Sequence, residues 1–152
     1  LEYSKVSLMR LLEQLTFEFK PMFADKNLTC SLEIAPDTMI RFDVDKMQRV
    51  FDNLLRNAVN YSFENSVISI AVKRSGDVLS IKFTNSGNTI PKEKLDRIFE
   101  QFYRLDSSRS TRSGGAGLGL AIAKQIVELH HGSISAKSEN EIVEFEVIIP
   151  AS

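Results

Sequence analysis

Three asparagines, Asn53, Asn57 and Asn60, fall at i, i+4 and i+7, the spacing that lines one side of a helix. Asparagine costs a helix about half a kcal/mol or more against alanine, so the stripe costs on the order of 1–2 kcal/mol of propensity. Its amide carbonyls are hard oxygen donors of the kind that suit Mg²⁺. The plainer reading is three solvated residues that happen to align. A second group, Gly115-Ala116-Gly117-Leu118-Gly119-Leu120, opens a helix. Helix N-terminal N–H groups attract phosphate, and glycines let the backbone approach closely. A dinucleotide fingerprint fits poorly, because a polar loop and not a strand precedes it, and Ile122 stands where tight packing wants glycine. The Lys-Ser/Thr of a P-loop is missing. A flexible linker running into a helix is the bland alternative.

Two further segments carry weaker signals. Asn85-Ser86-Gly87-Asn88-Thr89-Ile90 follows a strand and by itself reads as a turn. Phe99-Glu100-Gln101-Phe102-Tyr103-Arg104 places aromatics at i, i+3 and i+4, a core pattern for Phe99 at least.

The elements that must position these groups follow from periodicity. Leu8, Leu11, Leu12, Leu15, Phe19, Met22 and Phe23 predict one amphipathic helix from Leu8 to about Asp25. Leu28–Ile34 alternates as a strand and Pro36-Asp37 ends it, with a short strand near Met39–Phe42. A strong helix runs from about Asp45 to Tyr61, its apolar face Met47, Val50, Phe51, Leu54, Leu55, Ala58 and Val59. Val67–Lys73 and Val78–Thr84, separated by Ser75-Gly76-Asp77, predict a hairpin. Pro91 suits the first turn of a helix with apolar positions Leu95, Ile98, Phe99 and Phe102. Leu105 to Gly115 is polar and aperiodic, a loop. Leu118, Ile122, Ile126 and Leu129 mark a last helix that stops at Gly132, and Ser133–Ser138 with Val143–Ile149 closes the chain as a strand pair. This inventory predicts an α+β two-layer sandwich, a mixed and largely antiparallel sheet packed on three helices.

Composition narrows the function classes. The 152 residues fit one domain, 43% hydrophobic and 26% charged. Nineteen basic residues nearly balance 20 acidic ones, which argues against nucleic acid and membrane-surface partners. No apolar run approaches the roughly 20 residues of a membrane span. One cysteine, Cys30, excludes an internal disulfide framework and fits a reducing compartment. Two histidines and one cysteine make structural zinc a poor fit.

The order of the segments is more specific than any one of them. An asparagine helix, a strand ending in Asn-x-Gly, an aromatic helix, a polar loop and a Gly-x-Gly-Leu-Gly helix resemble the N, G1, F and G2 boxes of the histidine kinase catalytic domain, in the superfamily that includes gyrase B and Hsp90. The likeness covers nearly the whole chain, and His131-Gly132-Ser133-Ile134 before two strands is similar to the family's ending. Asn85 to Leu95, Phe102 to Asp106 and Gly114 to Lys124 look like the vancomycin-resistance sensor kinases.

That resemblance implies a Bergerat-type ATP-binding fold that binds Mg²⁺-ATP and passes the γ-phosphoryl group to a histidine on a separate domain. It implies Asn57 first and Asn53 second as Mg²⁺ ligands and catalytic residues. Where ATPase relatives carry a water-activating glutamate, this chain has Asn53, and an amide is no general base. Asn60 replaces a family cation, whose charge Arg104, Arg109 or Arg112 can supply from the loop. Tyr61 matches a position beside the adenine. Asn85 replaces the aspartate that accepts the adenine amino group, and Thr89 replaces the second glycine of that box. Gly87, Ile90, Phe102 and Arg104 complete the nucleotide set with Gly115, Gly117, Leu118 and Gly119 at the phosphates, while Leu105–Gly115 matches the ATP lid. His130 and His131 lack the acidic neighbour of a phosphoacceptor and read as structural, with His⁺ mildly favoured at a helix end. The chain then reads as a fragment, monomeric in isolation and clear of the membrane, from the cytoplasmic part of a plasma-membrane sensor kinase. Its partners would be its own dimerisation domain and a response regulator. Two alternatives stand beside this: an ATPase or serine kinase of the same superfamily, and a degenerate, non-catalytic interaction module.

Overall fold

Two alternating runs joined at Gly76-Asp77 make the middle of the main sheet. The computed structural model describes residues 1–103 and 119–152. In it β4 (Val67–Ser75) and β5 (Val78–Ser86) pair antiparallel in the register Ser69↔Thr84 through Ser75↔Val78. Gly76 takes φ +60°, the left-handed region that a tight hairpin demands. β7 (Ile142–Pro150) pairs antiparallel with β5, β6 (Ser133–Glu139) with β7, and β2 (Thr29–Glu33) lies parallel to β4. The sheet order is β2-β4-β5-β7-β6, and β1 (Tyr3–Ser7) forms a separate antiparallel pair with β3 (Met39–Asp43).

Period-two alternation decides which face is covered. Ile68 and Ile70, then Leu79, Ile81 and Phe83, then Val143, Phe145, Val147 and Ile149 all point inward and are buried. Against them lies α3 (Val44–Tyr61), whose buried residues are the seven apolar positions predicted for it. Phe51 stacks on Phe83 with ring centroids 6.2 Å apart. Emptying such a site to alanine costs about 3–5 kcal/mol. Helices α1 (Leu8–Glu18) and α5 (Gly119–Leu129) flank α3. The opposite sheet face is polar and half-exposed, where the Ser80 hydroxyl donates to Glu146 Oε2 at 2.6 Å. The α+β two-layer sandwich with a largely antiparallel mixed sheet is therefore the observed fold.

Three expected elements differ. The single helix over Leu8–Asp25 is two, because α2 (Lys20–Asp25) starts afresh after Phe19. Pro21 has no N–H to give the Phe17 carbonyl, so the first helix cannot continue through it. The helix after Pro91 is short: α4 spans Lys92–Leu95, and from Arg97 onward the backbone bonds run to the third residue back. Ile98 is buried, and Phe99 packs edge-on against Phe145 at 6.0 Å, as a core residue should. Phe102, expected on the apolar side, has φ +64° and is 67% exposed. The last helix does not end on glycine in the left-handed region. His131 takes φ +63°, its N–H donates to Glu128 O, and the Gly132 N–H donates to Val127 O, the bond pattern of a Schellman cap. Gly132 is glycine for another reason: a Cβ there would sit 2.3 Å from Ile148 O.

Candidate functional site

The amide stripe lies along α3, which is held at both ends. At its start Asp43 accepts from the Lys46 N–H through Oδ1 (3.0 Å) and from the Glu2 N–H through Oδ2 (2.9 Å), an N-cap that also ties down β1. These backbone donors, Glu2's first, hold the Asp43 carboxyl below its usual range. The Asp43 N–H donates to His130 Nε2 at 3.1 Å, and His130 Nδ1 lies 2.8 Å from Ile126 O. Since Nε2 accepts, the proton sits on Nδ1 and donates to that carbonyl. His130 is thus structural, as expected, but as a buried neutral imidazole and not as His⁺. It locks the entry of α3 to the exit of α5.

At its far end α3 is held from two sides. The Ser62 hydroxyl donates to Ala58 O at 2.6 Å. Lys26 Nζ donates to Val59 O (2.8 Å) and Asn60 O (3.2 Å), placing a cation where the helix dipole is negative. Burial lowers the Lys26 pKa, against the opposing pull of Glu64. No sequence pattern marks Lys26, because its partners are backbone carbonyls more than 30 residues away.

The Asn85–Ile90 segment is not a free turn. β5 runs to Ser86, whose carbonyl accepts from the Phe63 N–H at 2.8 Å. The Gly87 N–H donates to Glu141 O at 3.0 Å, the Glu141 N–H to Thr89 Oγ1 at 2.7 Å, and the Ile90 N–H to Ser138 Oγ at 2.8 Å. The Thr89 hydroxyl therefore supplies an anchor that a glycine there could not. Gly87 is required by close approach, since a Cβ there would lie 2.2 Å from Tyr61 O and 3.1 Å from Asn85 Nδ2.

Asn85 continues the inward row of Leu79, Ile81 and Phe83, and is 2% exposed. Its Nδ2 is buried with no hydrogen-bond partner among the described residues. An unmet buried donor costs about 1–3 kcal/mol, and such groups call for an explanation.

Among the described residues the amide stripe bonds to α5 through Asn53, whose Nδ2 donates to Gly119 O at 3.0 Å, joining residues 66 apart in sequence. Asn57 and Asn60 follow on the same helix, half-buried. Tyr61, also half-buried, ends α3 against Gly87. The structure thus brings Asn53 to Gly119, and Asn85 to Gly87 and Tyr61, while Ile90 is buried beside Ser138. Phe102 faces outward. Arg104, Gly115, Gly117, Leu118 and the lid segment Leu105–Gly115 lie outside the described residues, as do Arg109 and Arg112. Among the described residues no three His, Cys, Asp or Glu side chains are placed to hold a metal ion, and no helix is long and apolar enough to cross a membrane. Burial pushes the Cys30 thiol up to about 11, away from nucleophilic chemistry.

Comparison with known proteins supplies the remaining piece. Residues 42–152 match the family model for histidine kinase-, DNA gyrase B- and HSP90-like ATPases. The chain belongs to that family. Within it, the chain is 46% identical over 150 residues to the sensor protein VanSC of Enterococcus gallinarum, spanning 99% of this chain and 41% of VanSC. This histidine kinase-like ATPase domain superposes on the nucleotide-free catalytic domain of histidine kinase ThkA with a TM-score of 0.88 at 27% identity, covering 99% of this chain and 97% of that one. ThkA in complex with the response regulator protein TrrA aligns at a TM-score of 0.83 and 25% identity, over 99% of this chain and 42% of ThkA.

Proposed function

We propose that this domain binds Mg²⁺-ATP and passes the γ-phosphoryl group to a histidine on a separate dimerisation domain, within a larger sensor kinase. The observation that carries the reading is the Asn53–Gly119 bond. It sets the amide stripe of α3 against the first residue of α5, so oxygen donors and a phosphate-attracting helix start share one wall. The second wall, around Asn85, Gly87 and Tyr61, takes the base.

Asn57, free of the α5 contact that occupies Asn53, is the principal metal ligand in this reading, and Asn53 the supporting one. The metal supplies charge neutralisation at the phosphates when bound. The protein's part is positioning. Asn53 fixes α5, Lys26 fixes the exit of α3, and the Thr89–Glu141 bond fixes the base-binding strand exit. Because Asn53 is an amide, it cannot deprotonate water, which favours transfer to an external acceptor over hydrolysis. Asn60, Ile90, Phe102, Arg104, Gly115, Gly117 and Leu118 complete the proposed nucleotide set.

The whole-protein assignments rest on the relatives. The chain spans 41% of VanSC, so residues 1–152 are read as the catalytic domain of a longer kinase whose dimerisation and sensor parts lie elsewhere, with this domain cytoplasmic and the sensor in the plasma membrane. The ThkA–TrrA complex supports a response regulator as partner. The likeness of Asn85–Leu95 and Gly114–Lys124 to vancomycin-resistance sensor kinases supports cell-wall antibiotic stress as the signal. The decisive test mixes this domain with labelled ATP, Mg²⁺ and a purified dimerisation domain. Acid-labile, base-stable label on the acceptor histidine is expected. Binding of ATP without transfer would instead support the non-catalytic module.

A further inference from the structure

Asn85 is the polar member of an inward row that is otherwise Leu79, Ile81 and Phe83. It is 98% buried, and its Nδ2 meets no partner among the described residues. The amide stands at the seam between the exit of β5 and the exit of α3, where Gly87 lies against the Tyr61 carbonyl. A donor kept buried and unmet at the base-binding wall is a donor waiting for an acceptor on the ligand.

The chemistry of the ligand edge follows. A 6-aminopurine presents a donor at position 6 and an acceptor at N1. A 6-oxopurine presents the reverse, an acceptor at position 6 and a donor at N1. A carboxylate only accepts, so it meets the amino group and repels the oxo group. A carboxamide carries both kinds of atom, and a half-turn about χ2 exchanges them. One side chain then satisfies either purine edge with two hydrogen bonds.

We infer that Asn85 makes this site permissive for the base, so that it takes 6-oxopurine nucleoside triphosphates alongside ATP. The inference rests on the nucleotide-binding reading above and specifies its substrate class. Thr89 adds the means of keeping the arrangement, because its bond to Glu141 N–H holds the strand exit in place while the amide turns.

Inosine triphosphate is the suitable probe, since it differs from ATP at position 6 and N1 alone. Calorimetric titration of this chain with each nucleotide in Mg²⁺ is expected to give affinities within about tenfold of one another. Asn85→Asp is expected to keep or tighten ATP and to weaken ITP, raising the ATP preference by about 10- to 100-fold, the worth of one mismatched buried polar contact. A parent that binds ATP and disfavours ITP by more than about tenfold overturns the inference and leaves the ATP site standing. A parent that binds neither at millimolar concentration overturns the nucleotide reading itself. The comparison within the parent needs no variant, so a poorly folded Asn85→Asp does not obscure the outcome.

Discussion

Replacing Gly87 by alanine tests the geometry of the proposed base wall most directly. The added Cβ would lie 2.2 Å from the Tyr61 carbonyl oxygen, more than about 1 Å inside ordinary contact. That oxygen belongs to the last residue of α3, and Lys26 holds the two preceding carbonyls at 2.8 and 3.2 Å. The helix end therefore cannot swing aside freely, and the strand exit must move away from it. Overpacking of this kind costs about 1–3 kcal/mol, which for a domain of this size lowers Tm by roughly 3–10 °C. The same movement carries Asn85 Nδ2, 3.1 Å from the new methyl, away from α3. Loss of one base contact weakens ATP by about tenfold or more. Gly76→Ala is the matched control: it strains a residue at φ +60° with nothing within 4 Å, costing about 1–2 kcal/mol by conformation alone. Differential scanning calorimetry and ATP titration of both variants give the test. Both should lose stability, and Gly87→Ala alone should lose ATP. If Gly87→Ala binds ATP as tightly as Gly76→Ala does, the seam between β5 and α3 is not part of the nucleotide site.

Three further outcomes follow from named contacts. Asn57→Ala should abolish the Mg²⁺ dependence of ATP binding, read by titration with and without the metal; a variant that keeps that dependence removes Asn57 from the metal site. Lys26→Met should cost about 1–2 kcal/mol through loss of a charged bond to the helix end, and Lys26→Arg should recover part of it in thermal melts; equal melting of parent and Met variant would mean the bonds to Val59 and Asn60 contribute nothing. Asp43 gives a pH dependence. Its folded pKa is lowered, so its contribution is full above the unfolded value near 3.8 and is lost as pH falls through the lower folded value. Asp43→Asn should therefore destabilise at neutral pH and flatten the acid limb of the stability curve, and an unchanged acid limb would contradict the proposed cap.

What could be read from one dimension was whatever repeats locally. The buried face of α3, Met47 to Val59, follows from a 3.6-residue period, and the β4–β5 hairpin from alternation around Gly76. The kind of fold followed from the order of those elements. Local reading failed where a local rule met a competing constraint. Pro21 broke a helix whose apolar spacing runs straight through it, because spacing carries no information about the missing N–H. Phe102 has the spacing of a core residue but sits past the point where helical bonding ends at Leu95. Gly132 was the obvious helix stop, yet His131 takes the left-handed turn and Gly132 serves a contact with β7.

The sequence by itself determined the chemical vocabulary: amides on one helix face, glycines at a helix start, an asparagine at the end of a strand. Each is a matter of residue type and short spacing, and those are written in the chain. Tertiary structure decided which of them meet and in what state. It joined Asn53 to Gly119, set Lys26 on the exit of α3, made His130 a neutral bridge, and gave Thr89 a bond to Glu141. Above all it buried the Asn85 Nδ2 with no partner among the described residues. These are contacts between residues up to 87 apart, made through backbone atoms that every residue carries, so no pattern of side chains along the chain could announce them.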